Sequence, residues 1–171
     1  MPAGPTVNLR HSARAVILDE NDHVLLCRFA IPHPAVPAGA RFVWAAPGGG
    51  VEPGETLLAA LRRELHEEVG LTVDDDPVHV WHQEVVASGH AEGYDGMVND
   101  YFLIRTTSFH PAGALSGGEL AAEGISGFHW WRCQDIAGYC GTGLFSPRDL
   151  ATLLAALLAN GIPDAPVLLG L

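Results

Sequence analysis

Apolar and polar positions along this chain change period several times, and each change marks an element. Residues 13–18 and 24–27 are short apolar runs on either side of Asp19-Glu20-Asn21-Asp22, a turn-forming tetrad, and predict a β-hairpin. Three prolines and a glycine within 31–40 predict a loop, 42–45 a short strand, and 47–54 a glycine-rich loop. The period then lengthens. Leu57, Leu61, Leu65 and Val69 form a helical stripe, with Thr56 as N-cap and Gly70 as stop. Strands follow at 78–86, 98–105 and 125–131, separated by loops at 87–96 and 111–124. Ser146 as N-cap and Pro147 at the first position predict a second helix. Its apolar stripe is Leu150, Leu153, Leu154, Leu157 and Leu158, and Asn160-Gly161 ends it. No repeat or linker interrupts the order. The expected fold is a single α/β domain over 1–171, one mixed sheet with helices packed on it.

Charge and cysteine usage narrow the partners. A chain of 171 residues suits one domain with a sizeable core. Its net charge of −11 argues against coating duplex nucleic acid, which requires Lys and Arg on the phosphates. A small phosphate-bearing ligand stays open if cations mediate the contact. Cys27, Cys133 and Cys140 are odd in number and lack metal-type spacing, so they read as reduced thiols in a cytoplasmic protein. The opening MPAGPTVNLR has no apolar signal core, and the C-terminal leucine-rich stretch is too short and amphipathic for a bilayer. A soluble, cytoplasmic protein with no membrane partner is expected.

The first helix carries the chemistry. Glu64, Glu67 and Glu68 fall within roughly 100° of one another on a helix, at the shoulder of the apolar stripe. Like charges at that spacing repel. Divalent cations reverse the sign of the interaction, and hard oxygen donors suit Mg²⁺ or Mn²⁺ held together with substrate phosphates. Gly48, Gly49, Gly50 and Gly54 let the preceding backbone bend and approach a ligand, where a bare carbonyl adds another metal oxygen. Arg63 and Glu55 are placed to pair and brace that loop against the helix.

Residues 49–71 resemble the signature of the Nudix hydrolases. The matching positions are Gly49, Glu55, Arg63, Glu64, Leu65, Glu67, Glu68, Gly70 and Leu71, with no departure from the pattern. Seven of the nine admit one residue type, so at about 7% each a chance match is on the order of one in a hundred million. The glycine clusters match neither a dinucleotide fingerprint nor a phosphate loop. Gly124–Phe128 misses a nucleophile elbow, which needs Gly where Phe128 stands.

The resemblance implies an α/β/α sandwich with a mixed sheet between helices. It implies hydrolysis, with Mg²⁺ or Mn²⁺, of a nucleoside diphosphate linked to another group. Glu64, Glu68 and the Gly49 carbonyl are the implied metal ligands, and Glu67 shares that duty. Glu123, shortly before a strand ending in Trp, matches a further acidic group of many members. Glu67 and Glu123 are the two contenders for the base that takes the proton of the attacking water. Many relatives are dimers, so a homodimer is compatible with the resemblance.

Substrate contacts lie outside the motif. Arg28 and Arg41 flank the proline-rich loop, and Trp44, Trp81, Tyr94, Tyr101 and Trp130 have faces for a base. Aromatics on strands are more often core, and surface arginines more often solvated. Nucleoside triphosphates compete with ADP-ribose, nucleotide sugars and dinucleoside polyphosphates as substrate. A nucleotide-sensing module that keeps the fold without turnover is the alternative, disfavoured by an intact motif. Zinc is not expected. His79 and His82 stand three apart on a strand, which directs them to opposite faces, and His33, His90, His110 and His129 have dissimilar contexts. Cys27 reads as a small core residue.

Overall fold

The computed structural model describes residues 4–30, 42–87 and 92–170. Nine strands form one mixed sheet. They are β1 (Leu9–Leu18), β2 (Val24–Phe29), β3 (Val43–Ala45), β4 (Gly48–Gly50), β5 (Val78–Val86), β6 (Gly96–Arg105), β7 (Ile125–Trp131), β8 (Leu144–Ser146) and β9 (Val167–Leu169). The helices are α1 (Leu57–Glu68), α2 (Gly117–Ala122), α3 (Cys133–Ala137) and α4 (Leu150–Asn160). The sheet order is β8-β3-β2-β1-β6-β5-β9, with β4 paired to β1 and β7 paired to β2. The β1–β6, β3–β8 and β5–β9 pairs are parallel, and the other pairs are antiparallel.

Two cores confirm the layering. Ala13, Ala15, Ile17, Leu25, Phe102 and Ile104 meet Leu61, Leu65 and Val69 beneath α1. Val16, Leu18, Leu26, Trp44, Trp81 and Tyr101 meet Leu150, Leu154 and Leu157 beneath α4. Alternate residues of β1 thus serve opposite helical layers, as a strand buried on both faces requires. The Thr56 hydroxyl accepts the Ala59 N–H at 3.1 Å and caps α1. The Gly70 N–H closes the other end on the Leu65 carbonyl at 2.9 Å.

Several elements differ from their local signals. The glycine-rich segment 47–54 contains β4, because β1 is long and pairs with β2 only near Leu18, which leaves its middle for Gly48–Gly50. Segment 111–124 contains α2, capped by a reciprocal Ser116–Glu119 box. That S-x-x-E signal is present in the sequence, but Gly117 and Gly118 hide it. Ser146 does not cap α4. It pairs with Ala45 in β8, and Asp149 takes the N-cap position without a side-chain hydrogen bond. Short α3 and β9 carry too few residues to show a period. Arg41, His33, His90 and the 31–40 loop lie outside the described residues. Among those described, no helix is long and apolar enough to cross a membrane.

Candidate active site

α1 lies across β1 and β4 with its carboxylate shoulder directed at the Gly48–Gly50 backbone. Glu64 and Glu68 are buried, at 8% and 2% exposure, while Glu67 is more open. The Gly48 N–H donates to Glu68 Oε2 at 3.1 Å. A side chain at Gly49 would put its Cβ 2.5 Å from Glu64 Oε1, so any larger residue displaces that carboxylate. Gly48 adopts φ 138°, and a Cβ there would collide with the Ala13 carbonyl, so this position excludes a side chain.

Glu123 arrives from a separate element. It is the residue that ends α2, and the α2–β7 corner swings it to α1. Carboxylate oxygens of Glu64, Glu68 and Glu123 all lie within 4.8 Å of one another. Burial pushes the Glu64 carboxyl up, against the opposing pull of Arg63. Burial pushes Glu68 up to about 8; the nearby Glu64 and Glu123 charges add to this, and the Gly48 N–H and Arg14 oppose it. At both carboxyls burial prevails over the opposing positive charge, that of Arg63 at Glu64 and that of Arg14 at Glu68. The donor set is all oxygen, with an exposed carboxylate on one side and a Cβ-free backbone on the other. It fits Mg²⁺ or Mn²⁺.

Arg63 stands behind the cluster. Its Nε and Nη2 donate to Glu55 Oε2 and Oε1, each at 2.9 Å, and Nη2 also donates to the Gly50 carbonyl at 3.0 Å. Nη1 donates to Glu64 at 3.0 Å and to Glu67 at 3.4 Å. This fork holds Glu55 down to about 2. One guanidinium therefore ties loop, helix and two of the three α1 carboxylates together.

The other candidates are dispersed. Trp81 and Tyr101 are core residues at 2% exposure, and Trp44 lies in the same α4-side core. Arg28 bonds Ser126 and packs over the Phe42 and Trp44 rings. Tyr94 is exposed in the turn before β6. Trp130 donates to the Phe109 carbonyl and, with Leu25, Phe109 and Phe128, lines an open cleft of about 490 Å³. Cys27 is buried, and that burial pushes its thiol well up, as suits a core residue. His79 and His82 depart from the sequence expectation: both meet Asp100 on one face of the sheet. Strand periodicity alone misses them because the register of β5 on β6 shifts between His79 and Trp81.

A NUDIX domain profile matches residues 8–146, so the chain belongs to the NUDIX domain family. A nucleoside triphosphatase NudI of Escherichia fergusonii is 33% identical over 126 residues, 71% of this chain and 82% of that protein. Its counterpart in Enterobacter sp. (strain 638) is 34% identical over 90 residues, 52% of this chain; the match spans only 61% of that relative's length. Among solved structures, a MutT protein from Methanosarcina mazei Go1 superposes with a TM-score of 0.60 at 18% identity, covering 92% of this chain and 98% of that one. A MutT NUDIX hydrolase from Burkholderia pseudomallei gives 0.59 at 20% identity, covering 83% and 94%. These two share the fold.

Proposed function

We propose that this chain is a Mg²⁺-dependent pyrophosphohydrolase of nucleoside triphosphates, working in the cytoplasm. The observation that carries the reading is the convergence of Glu64, Glu68 and Glu123 beside the Cβ-free Gly49 backbone, within a motif that lacks none of its residues. The triphosphate class is favoured over ADP-ribose, nucleotide sugars and dinucleoside polyphosphates because the NudI relatives are named as nucleoside triphosphatases.

Glu64, Glu68 and the Gly49 carbonyl would hold the metal, with Glu67 assisting. A divalent ion bound there neutralises phosphate charge and lowers the pKa of the attacking water. The chain's own residues do the rest. Arg63 and Glu55 hold the Gly50 carbonyl and the α1 carboxylates in one arrangement, so little reorganisation accompanies substrate entry. Glu123 takes the proton of the attacking water. It is exposed and comes from another element, whereas Glu67 is engaged with Arg63. The acidic site repels a bare triphosphate, so substrate enters with its cation.

The test is product analysis with Mg²⁺ across nucleoside triphosphates, ADP-ribose, nucleotide sugars and dinucleoside polyphosphates. Monophosphate and pyrophosphate from the triphosphates, abolished by Glu68→Gln, are expected. Nucleotide binding without turnover of any substrate would instead identify a sensing module.

A further inference from the structure

We propose that His79, His82 and Asp100 form a second divalent-metal site, of zinc type, separate from the acidic site on α1. The site begins with a backbone irregularity. His79 is in register with Phe102 and Trp81 with Tyr101, so Val80 and Trp81 together oppose one residue of β6. Both are buried, at 0% and 2%, in the core beneath α4. This β-bulge reverses the alternation of the strand, and His79 and His82 emerge together on the α1 side. Bulges of this kind re-aim side chains, and here the result is two imidazoles converging on one carboxylate.

Asp100 stands opposite His82 in the ladder and is only 4% exposed. Its Oδ1 is 2.6 Å from His82 Nδ1 and 2.9 Å from His79 Nε2. The three ligand atoms lie within 4.8 Å of one another. A zinc ion at about 2.0–2.2 Å from each requires them roughly 3.3 Å apart, so Asp100 Oδ1 would draw back from both nitrogens on binding. A buried carboxylate needs a compensating cation. One protonated imidazole, that of His82, can supply it without a metal. His79 Nε2–H also donates to the Trp81 carbonyl at 3.0 Å, so a metal ion would bind by displacing that proton and the one between His82 and Asp100.

The surroundings hold the ligands in place. The His79 ring stacks on Phe102 at 4.9 Å between centroids, with planes 23° apart. His82 turns its other nitrogen, Nε2, toward Glu84 Oε2 at 3.7 Å. A carboxylate behind the second ring nitrogen is the usual outer partner of a metal-bound histidine. The Asp100 charge already favours a positive His82, raising its pKa chiefly through their hydrogen bond. Both rings are about one-third exposed, so the site faces solvent and leaves room for a further ligand.

Imidazole nitrogen selects zinc, cobalt or nickel over magnesium, so the two sites would take different ions. They are also apart. Gly49, Ala13, Asp100 and His82 occupy one row across β4, β1, β6 and β5. Three strand spacings place His82 about 14 Å from Gly49.

The test is metal binding by the full chain after chelator treatment, with Zn²⁺ followed by calorimetry and Co²⁺ by its visible spectrum. One zinc ion bound at micromolar or tighter affinity is expected in the wild type and in a Glu64→Gln/Glu68→Gln double variant. His79→Gln and His82→Gln should each weaken it roughly tenfold or more, and Glu84→Gln should weaken it by less. Equal zinc affinity in wild type and His82→Gln would overturn the site, as would loss of zinc in the Glu64→Gln/Glu68→Gln variant. Should a histidine variant fail to fold, the wild type decides alone. At one equivalent of zinc the ring-proton NMR signals of two histidines move if the site exists, and unmoved signals would leave only a shared proton between His and Asp.

Discussion

Arg63 grips Glu55 through two parallel hydrogen bonds of 2.9 Å, joining the seventh residue of α1 to the loop that precedes the helix. The two residues are eight positions apart, and the turn at Thr56 lets them meet. Because the same guanidinium holds the Gly50 carbonyl, the pair sets the shape of the Gly48–Gly50 backbone. Arg63→Lys keeps the charge but loses the fork, since an ammonium cannot make the bidentate contact. Steady-state kinetics should show about a 10–100-fold loss of kcat/KM, and Glu55→Gln should fall in the same range. A loss confined to Tm, with full activity at low temperature, would limit the pair to a structural role.

If Glu68 holds the metal as proposed, it links metal binding to pH. In the metal-free protein its carboxyl titrates near 8, well above the ordinary 4.5. The folded state therefore holds this proton more tightly than the unfolded chain. The stability that comes from it is complete below about pH 4.5 and is lost as pH rises through 8. The loss at pH 9 is on the order of a few kcal/mol. Melting curves of chelator-treated protein should show Tm falling between pH 6 and 9 by more than in Glu68→Gln, measured at roughly unit pH steps. Mg²⁺ should restore Tm most at the alkaline end.

Glu123→Gln and Glu67→Gln separate the two candidates for the proton acceptor. Loss of a general base typically costs about 10²–10⁴-fold. Glu123→Gln should lose kcat in that range. Glu67→Gln should act mainly on the Mg²⁺ concentration needed for half-maximal rate. The reverse pattern would transfer the role of base to Glu67.

Gly49→Ala tests the backbone approach. The added Cβ meets the Glu64 carboxylate at 2.5 Å, so either that side chain or the strand must shift. Overpacking of this kind costs about 1–3 kcal/mol. The greater effect should be on function, as weaker Mg²⁺ binding by calorimetry and a lower kcat. Gly54→Ala meets no neighbouring atom within 4 Å and strains only a φ of 83°. It should lower Tm modestly and leave Mg²⁺ affinity unchanged.

The amino-acid sequence by itself determined the strand pair around Asp19–Asp22, the span of α1, its cap at Thr56 and the carboxylate shoulder of Glu64, Glu67 and Glu68. These are local matters, since helical period and capping act over a few residues. The Arg63–Glu55 brace was legible for the same reason. Tertiary structure decided what depends on distant partners. The free edge of β1 made a strand of Gly48–Gly50, and the parallel pairing of Val43–Ala45 drew Ser146 away from α4. The α2–β7 corner carried Glu123 to Glu64 across 58 intervening residues. One extra residue in β5 turned His79 and His82 to the same side, against the alternation of their own strand. Such register is set by the fit of one strand to its neighbour, and no short window of sequence contains both.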